Sequence, residues 1–339
     1  VHTALLTGLV PGTMYIIQIQ YNHKTKTVKY KTPPDTDKPL VVALGGDVGN
    51  TKTSSQTINT MSGMFAPDIY YVGGDIAYDN DLRQCYYAYD LFIKQFEDTF
   101  GKVGYMVPII LSVGNHDVGY DPNPKYSIVK DESGPFYFLY FPQHTTGNMS
   151  DLIPNPPQRQ SNHYHVLGNA LFISLDTGYD KSYFEQTSWL ENLAKSYPHL
   201  PKFANYHNPI FTPCGQDFED QFYALASWAP LFDEYRFMAI FEHHKHVLSR
   251  SVPLRNGQKS DEGLYYLGQG AWGVIPRMGC GPPIFNSSGV FQDYGDVNNF
   301  WIMKIDSSSD TVSYTAYSPS GSVLIETFNQ TISKYVSSA

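Results

Sequence analysis

The sequence is poor in cysteine, in long apolar runs and in positive charge. No run of eighteen or more apolar residues occurs, so no segment has the composition of a membrane-spanning helix. The 23 Lys and Arg residues are outnumbered by 32 Asp and Glu residues, which gives a net charge of -9 and argues against a nucleic-acid backbone as the main partner. An anionic substrate stays compatible with this charge, because bound metal ions invert the local electrostatics.

The three cysteines, Cys85, Cys214 and Cys280, form no CxxC motif of a metal or redox site. Cys214 and Cys280 lie beside Gly or Pro in loop-like sequence and could pair, although free thiols are equally compatible with the pattern. Three N-glycosylation sequons start at Asn148, Asn286 and Asn329 in polar surroundings. Together these features favour the secretory route, and we expect a secreted, lysosomal, vacuolar or cell-surface protein.

The chain divides into a short N-terminal part and a large second domain. Residues 15–21 and 27–32 alternate as strands, a polar stretch joins them as a hairpin, and residues 33–37 are typical of a linker. A lone hairpin cannot bury its own core, so residues 1–36 are predicted to be the tail of a β-sandwich domain that starts before Val1. Since the chain does not begin with Met, further residues are expected before Val1, and any signal peptide would lie among them. Residues 38–339 form the second domain.

The second domain has the pattern of an α/β protein. Short apolar runs, typical of strands buried on both faces, alternate with helical stretches such as residues 84–100 and 186–197. The later part is more antiparallel in character, at residues 171–175, 300–305, 311–317 and 323–328. We therefore predict a four-layer sandwich in which helices flank two mixed β-sheets. Residues 118–162, rich in Pro, Tyr, Asn and Ser, are expected to be a long insertion near a site.

Polar side chains follow five of the predicted strands. Ligands of open α/β sheets gather at the carboxyl ends of the strands, so these side chains are expected to meet at one site. Each motif is weak by itself, because an Asp after Gly-Gly is usually a turn residue and a lone His is usually a core residue. Five in order are difficult to attribute to chance. In chain order they are Asp47, Asp75, Asn115 with His116, His207, and His244 with His246.

These residue types suit a pair of metal ions. Two cations only a few Å apart need a carboxylate between them, and carboxylate, amide oxygen and imidazole are ligands for iron, manganese and zinc. His244 and His246 are expected to lie on an extended segment, which would place both rings on one side and His243 on the other.

The five motifs resemble those of the calcineurin-like dinuclear metallophosphoesterases. The motifs are Gly46-Asp47-Val48-Gly49, Gly74-Asp75-Ile76-Ala77-Tyr78, Gly114-Asn115-His116-Asp117, His207 and His244-Lys245-His246. Tyr78, three residues after Asp75, is the mark of the purple acid phosphatase branch. The resemblance implies a metallophosphoesterase sandwich, preceded by a fibronectin-like β domain to which residues 1–36 would belong.

The resemblance also implies a role for each residue. Asp47, Tyr78 and His246 would hold Fe³⁺, and Asn115, His207 and His244 would hold a divalent metal, Zn²⁺, Mn²⁺ or Fe²⁺. Asp75 would bridge both ions, and His116 would contact the phosphate and protonate the leaving group. The implied activity is that of an acid phosphatase, in which a metal-activated hydroxide hydrolyses small phosphate monoesters without a phospho-enzyme. A homodimer is a further candidate assembly.

The chain departs from the family pattern at two places. His243 stands where the family has glycine, and it either contacts substrate or, as we prefer, is a core or surface residue. Plant members carry another His after the fourth motif, but none occurs here between His207 and His243. Asp217 or Glu219 could replace it, although solvated carboxylates are the default interpretation. Arg250 could contact phosphate, but a structural ion pair is preferred.

Two other functions compete with the acid phosphatase. One is a dinuclear phosphodiesterase or nucleotide pyrophosphatase on the same scaffold, although Tyr78 favours ferric iron and hence the monoesterase. The other is a structural surface module that retains the fold without turnover. The structural-module hypothesis is disfavoured because all seven predicted ligand positions are filled.

Overall fold

The computed structural model describes residues 4–49, 54–78, 86–118, 136–141, 161–214, 218–278 and 289–337. Its first element is an antiparallel hairpin of β1 (Met14–Tyr21) and β2 (Lys24–Lys31). Asn22 and His23 both have positive φ, 47° and 62°, as a two-residue turn with the twist of a hairpin requires. The hairpin predicted from alternation is confirmed, with a shorter turn than expected.

The next part of the chain alternates strands and helices, as the apolar runs predicted. A single 3₁₀ turn, Asn115–Asp117, follows the last of these strands. The elements are β3 (Leu40–Gly45), α1 (Ser55–Gly63), β4 (Ile69–Val72), α2 (Tyr87–Val103) and β5 (Ile109–Leu111).

The middle of the described chain repeats this alternation and forms the centre of a second sheet. The elements are α3 (Phe136–Tyr140), β6 (His163–Leu167), β7 (Ala170–Ser174), α4 (Tyr183–Ser196), β8 (Lys202–Tyr206), α5 (Phe218–Ser227), α6 (Ala229–Glu234) and β9 (Ala239–Glu242).

The last part is almost entirely strands, which complete both sheets. They are β10 (Leu248–Ser251), β11 (Leu254–Arg255), β12 (Gln258–Lys259), β13 (Tyr265–Gln269), β14 (Phe291–Gly295), β15 (Phe300–Asp306), β16 (Thr311–Tyr317) and β17 (Val323–Thr331).

Two mixed sheets organise the second domain. The six-stranded sheet has the order β17-β16-β15-β3-β4-β5, and the seven-stranded sheet has the order β14-β10-β13-β9-β8-β7-β6. Strands β3, β4 and β5 are parallel, as are β7, β8, β9 and β13. The predicted sandwich of two mixed sheets is confirmed. One detail was wrong: β7 is antiparallel only to β6, because helix α4 carries the chain back to a parallel β8.

Burial on both faces of the strands creates the layers. Alternate residues of β3 belong to different clusters: Leu40, Val42 and Leu44 pack between the sheets, whereas Ala43 packs towards α1 and α2. On the outer face of the other sheet, Leu190, Trp228 and Phe232 of the α4–α6 layer fill a third cluster. The order of layers is therefore helix, sheet, sheet, helix, and it explains why the strands were continuous apolar runs.

Local caps set the helix ends, and two helices differ from their predicted bounds. Helix α2 ends at Val103 rather than at residue 100, and Gly104 caps it with a left-handed φ of 93°. Helix α4 starts earlier than predicted, since Ser182 and Glu185 form a capping box. Of the predicted insertion at 118–162, most lies outside the described residues. Across the described residues, no helix combines the length and apolarity that crossing a bilayer demands.

Candidate metal centre

All seven predicted metal ligands lie at the carboxyl ends of parallel strands of the two sheets. Five of them have a left-handed backbone, which is rare for residues with a side chain and raises the energy of the folded chain. Such strained residues cluster at functional sites. The φ values are 53° for Asp47, 51° for Asp75, 54° for Tyr78, 63° for His244 and 51° for His246. The loops are therefore held in unusual conformations at the point where the candidate ligands meet.

One half of the site, the buried half, consists of Asp75, Asn115, His207 and His244. His207 Nε2 lies 3.2 Å from Asp75 Oδ2 and 3.1 Å from Asn115 Oδ1. His244 Nδ1 lies 3.1 Å from Asn115 Oδ1 and 3.3 Å from His207 Nε2. Ligand atoms of Asp75, His207 and His244 all lie within 4.8 Å of one another. Four potential ligand atoms thus face a common point.

The other half, the open half, consists of Asp47, Tyr78 and His246. Asp47 Oδ1 lies 3.1 Å from the Tyr78 hydroxyl and 3.1 Å from His246 Nε2. The two halves are electrostatic neighbours: although burial lowers the pKa of His207, the carboxylates of Asp75 and Asp47 raise it to about 9. Burial, and then the carboxylates of Asp47 and Asp75, raise the pKa of Tyr78. A cation is therefore required to hold this tyrosine as a phenolate.

The tautomers of two histidines fit metal binding. His207 Nδ1 lies 2.8 Å from the Gly73 carbonyl, and His246 Nδ1 lies 3.1 Å from the Ile275 carbonyl. A carbonyl oxygen can only accept, so each Nδ1 carries a proton, and each Nε2 faces the site, where a bound metal ion would take the place of any proton on that nitrogen. Metal-ligating histidines are usually oriented in this way.

The two oxygens of the Asp75 carboxylate differ in their hydrogen bonding. Its Oδ1 accepts from the His116 backbone N–H at 2.8 Å, whereas its buried Oδ2 accepts no hydrogen bond of good geometry. A buried carboxylate oxygen without a donor is costly unless a cation compensates it. The donor set and this oxygen therefore fit a metal pair.

Asp117 holds this part of the site together, and sequence reasoning assigned it no role. Its buried carboxylate accepts from the backbone N–H groups of Asp75 at 2.8 Å, Ile76 at 2.9 Å and Gly114 at 2.9 Å. It thereby ties the loop of Asp75 to the loop of Asn115. Its position directly after Asn115-His116 was the signal that could have found it.

His116 lies at the border between the site and solvent. Its ring packs on Tyr78 with centroids 4.4 Å apart, and its Nε2 is 3.9 Å from Asp75 Oδ2. The side chain is 24% exposed, whereas that of His207 is fully buried. His116 is thus placed to reach a molecule that enters from solvent.

A rim segment, residues 273–278, is bound to the open half. The N–H groups of Gly273 and Val274 donate to the Asp47 carbonyl at 3.1 and 3.4 Å. Arg277 donates from its backbone to the His246 carbonyl at 3.2 Å and from its guanidinium to the His244 carbonyl at 3.5 Å. Sequence reasoning missed Arg277, which no motif marks.

The basic residue that the sequence did single out is structural, as preferred. Arg250 Nε donates to Asp293 at 2.6 Å, and its guanidinium lies 4.5 Å from the centroid of the Phe328 ring.

The expected geometry of the last motif was wrong. Strand β9 ends at Glu242, and His244 and His246 have positive φ instead of the extended backbone that the alternation argument assumed. Their rings therefore enter different halves of the site. The family's acid-side histidine remains without an observed replacement, because Asp217 lies outside the described residues and the side chain of Glu219 is not described.

His243 is a core residue and not a substrate contact. It is 3% exposed, and burial lowers the pKa of its imidazole to about 4, so the ring is neutral. The preferred interpretation from sequence therefore agrees with the structure.

Some secretory features fall within the described residues. Cys214 is disulfide-bonded, and the only other cysteines, Cys85 and Cys280, lie outside the described residues. Asn329 is exposed but lies on strand β17, not in a loop as expected. Asn148 and Asn286 lie outside the described residues.

Comparisons with known proteins agree with this geometry. No family profile matches the chain. Purple acid phosphatase 1 of Ipomoea batatas is 24% identical over 334 residues, which cover 94% of this chain and 63% of that protein. The chain thus spans less than two thirds of the length of this curated relative.

Solved structures give the same class of fold. The purple acid phosphatase PPD1 from yellow lupin (Lupinus luteus) seeds matches with a TM-score of 0.68 and 16% identity, over 96% of this chain and 60% of that one. PhoD matches with a TM-score of 0.68 and 12% identity, over 95% and 79%. GAP50, described as the anchor in the inner membrane complex of Plasmodium, matches with a TM-score of 0.58 and 14% identity, over 88% and 91%.

The chain therefore has a metallophosphoesterase-like fold. The resemblance to the purple acid phosphatases that Tyr78 indicated is confirmed by the curated relative, and the lupin structure shares the fold.

Proposed function

We propose that this chain is an acid phosphatase that hydrolyses small phosphate monoesters at a dinuclear Fe³⁺–M²⁺ centre. Asp47, Tyr78 and His246 would hold Fe³⁺. Asn115, His207 and His244 would hold Zn²⁺, Mn²⁺ or Fe²⁺, and Asp75 would bridge. The observation that carries the proposal is the buried Asp75 Oδ2, which accepts no hydrogen bond of good geometry and lies 3.2 Å from His207 Nε2, among further potential ligand atoms of Asn115 and His244.

When bound, the metal pair supplies a hydroxide nucleophile at neutral or acid pH and neutralises charge on the phosphoryl oxygens. The chain supplies orientation. Backbone carbonyls of Gly73 and Ile275 hold the two imidazoles, and the Asp117 carboxylate holds the loops of Asp75 and Asn115. Fixed ligands need no reorganisation during the reaction.

His116 is proposed to protonate the leaving-group oxygen. Its ring is positioned by Tyr78 and is the partly exposed imidazole beside Asp75 Oδ2, so it can contact both substrate and solvent. An imidazole is suited to general acid catalysis, because it exchanges its proton near neutral pH.

Tyr78→Phe tests the identity of the metals. The wild-type chain, loaded with iron and zinc, should be coloured by charge transfer from the Tyr78 phenolate to Fe³⁺, and Tyr78→Phe should lose the visible band. Tyr179→Phe is the control, since Tyr179 donates to Asn208 Oδ1 at 2.9 Å and is no proposed ligand. A colourless wild type that still binds two metals would contradict the iron assignment. A wild type that binds no metal would leave only the structural-module hypothesis.

Hydrolysis of phosphodiesters is the second candidate. Ile275 and Met278 of the rim segment are 83% and 86% exposed beside the open half, and such apolar side chains would suit the second substituent of a diester. Comparing kcat/KM for p-nitrophenyl phosphate and bis(p-nitrophenyl) phosphate decides the point. Preference for the diester would replace the monoesterase proposal.

We also propose that the protein follows the secretory route. The disulfide at Cys214 supports this, because structural disulfides persist in oxidising compartments. Glycans are expected at one or more of Asn148, Asn286 and Asn329, and mass spectrometry of the native protein would detect them. Three bare asparagines would count against this route.

The division of the chain at residues 36–38 remains a proposal as well. Residues 1–36 would belong to a fibronectin-like unit, and residues 38–339 would form the catalytic domain. The exposure of Ile16 and Ile19 on β1, 67% and 50%, supports a surface that another part of such a unit covers.

A further inference from the structure

The imidazole of His243 lies beneath the candidate metal centre and forms hydrogen bonds to the two strands beside β9, which are β8 and β13. Its Nε2 lies 2.6 Å from Asn205 Oδ1 on β8, and its Nδ1 bonds the Gln269 carbonyl on β13. Its backbone N–H donates to the His207 carbonyl at 3.0 Å. His243 therefore joins the loop of His244 and His246 to the strand end that carries His207.

The same ring packs against the backbone of the other sheet. A Cβ at Gly73 would lie 1.8 Å from His243 Cδ2, and a Cβ at Gly46 would lie 2.6 Å from His243 Nδ1. Both distances are far below van der Waals contact, so the ring occupies the space that two missing side chains leave. These glycines directly precede the loops of Asp75 and Asp47.

Hydrogen bonds extend these contacts to the ligands. The Gly73 carbonyl accepts from His207 Nδ1 at 2.8 Å, and the Gln269 side chain accepts from the Gly46 N–H at 2.5 Å. One imidazole thus contacts, directly or through one residue, the loops that carry Asp47, Asp75, His207 and His244. The family's usual glycine at this place could make none of the side-chain contacts.

The hydrogen-bond chemistry also assigns the orientation of Asn205. The Gln269 carbonyl can only accept, so Nδ1 of the neutral ring carries the proton and Nε2 must accept. The Asn205 amide then presents Nδ2 to the ring, which gives a partner to a buried nitrogen that otherwise lacks one. All polar atoms of the ring are satisfied in this arrangement.

We propose that His243 is a positioning residue: its ring, together with Gly46 and Gly73, sets the spacing of the four loops so that their ligands meet around the metals. The inference rests on the metal site of the proposed function, and on neither its substrate nor its reaction.

The test measures the affinity of the metal-free full chain for Zn²⁺, by competition with a chromophoric chelator, alongside kcat and KM. His243→Gly is expected to weaken Zn²⁺ binding by about 10- to 100-fold, as loss of a residue that orients metal ligands usually does. His243→Gln can keep one of the two hydrogen bonds, so its affinity for Zn²⁺ should lie between those of His243→Gly and the wild type. His199→Gly, at an exposed site, is the control.

A double-mutant cycle separates positioning from general damage. Gly73→Ala alone should weaken Zn²⁺ binding, because the new methyl overlaps the ring. In the His243→Gly background the same change should cost much less, because the space is vacated. Gly101→Ala is the matched control, since a Cβ there meets nothing within 4 Å.

The outcomes are distinct. If the wild type binds Zn²⁺ and the His243 variants bind it with the same affinity, the proposed role of His243 is overturned and the proposed function still stands. Additive effects of Gly73→Ala and His243→Gly would likewise overturn the role of His243. A wild type without Zn²⁺ affinity would overturn both. If His243→Gly does not fold, His243→Gln and its cycle with Gly73→Ala decide the question.

Discussion

The two halves of the candidate metal centre differ in burial and in what surrounds them. In the buried half, Asp75 and His207 are fully inaccessible and Asn115 is 3% exposed. In the open half, Asp47 is also inaccessible, but Tyr78 and His246 are both partly exposed, and the rim segment contacts His246. The buried half is therefore preorganised by the core, whereas the open half depends on a surface loop. We expect substitutions in the first to affect folding and metal binding, and those in the second to affect mainly metal exchange and substrate.

Asp75→Asn should have the largest effect, because the proposed function makes Asp75 the ligand that both metals share. The amide has one neutral oxygen in place of the bridging charge, so the second metal should be lost and kcat/KM should fall by about 1,000-fold or more. Metal analysis and turnover of p-nitrophenyl phosphate measure both. Asp98→Asn, on the exposed face of α2, is the control. Near-normal turnover in Asp75→Asn would remove the proposed site.

His207→Ala and His246→Ala compare the halves directly. In the metal-free chain, His207 is buried against Asp75 at 3.2 Å, so its loss should lower the free energy of unfolding by roughly 3–5 kcal/mol. His246 is partly exposed, although its partner Asp47 is buried, so its loss should lower the free energy of unfolding by less than the loss of His207 does. Urea unfolding of metal-free protein measures both values. Equal losses would show that the halves do not differ in preorganisation.

Acid should destabilise the packing around strand β5, which leads to Asn115 of the buried half. His163 Nε2 bonds the Leu111 carbonyl at 2.8 Å, on the strand that leads to Asn115. Burial, and then the neighbouring His165, lower the pKa of His163 to about 3 from 6.5. The unfolded chain therefore gains a proton first. The stability that neutral His163 provides is complete above pH 6.5 and is lost as the pH falls towards about 3.

His163→Gln should flatten this dependence by up to about 1.4 kcal/mol per pH unit. Thermal unfolding at a series of acid pH values measures it, with His199→Gln as the exposed control. An unchanged slope in His163→Gln would place the acid sensitivity in other groups.

The sequence predicted which side chains meet better than the geometry in which they meet. These side chains were brought together in the prediction because strand ends repeat a local pattern, an apolar run followed by Asp, Asn or His, and because the ends of parallel strands meet at one edge of a sheet. The left-handed backbone of His244 and His246 was not predictable from alternation, since β9 ends two residues before His244. The His243 contacts depend on Gly46, Gly73, Asn205 and Gln269, which lie far apart in the chain. Only the tertiary structure brings them together.

Arg277→Ala should have the smallest effect and tests the open half. The guanidinium lies on the rim and donates a hydrogen bond to the His244 carbonyl at 3.5 Å. At this place its positive charge could pair with a substrate phosphate. An exposed arginine contributes modestly to anion binding, so KM should rise by about three- to tenfold with kcat nearly unchanged. Arg277→Lys should retain part of the affinity, and Arg236→Ala is the exposed control. A fall in kcat without a change in KM would show that Arg277 supports the loop of His244 and does not contact substrate.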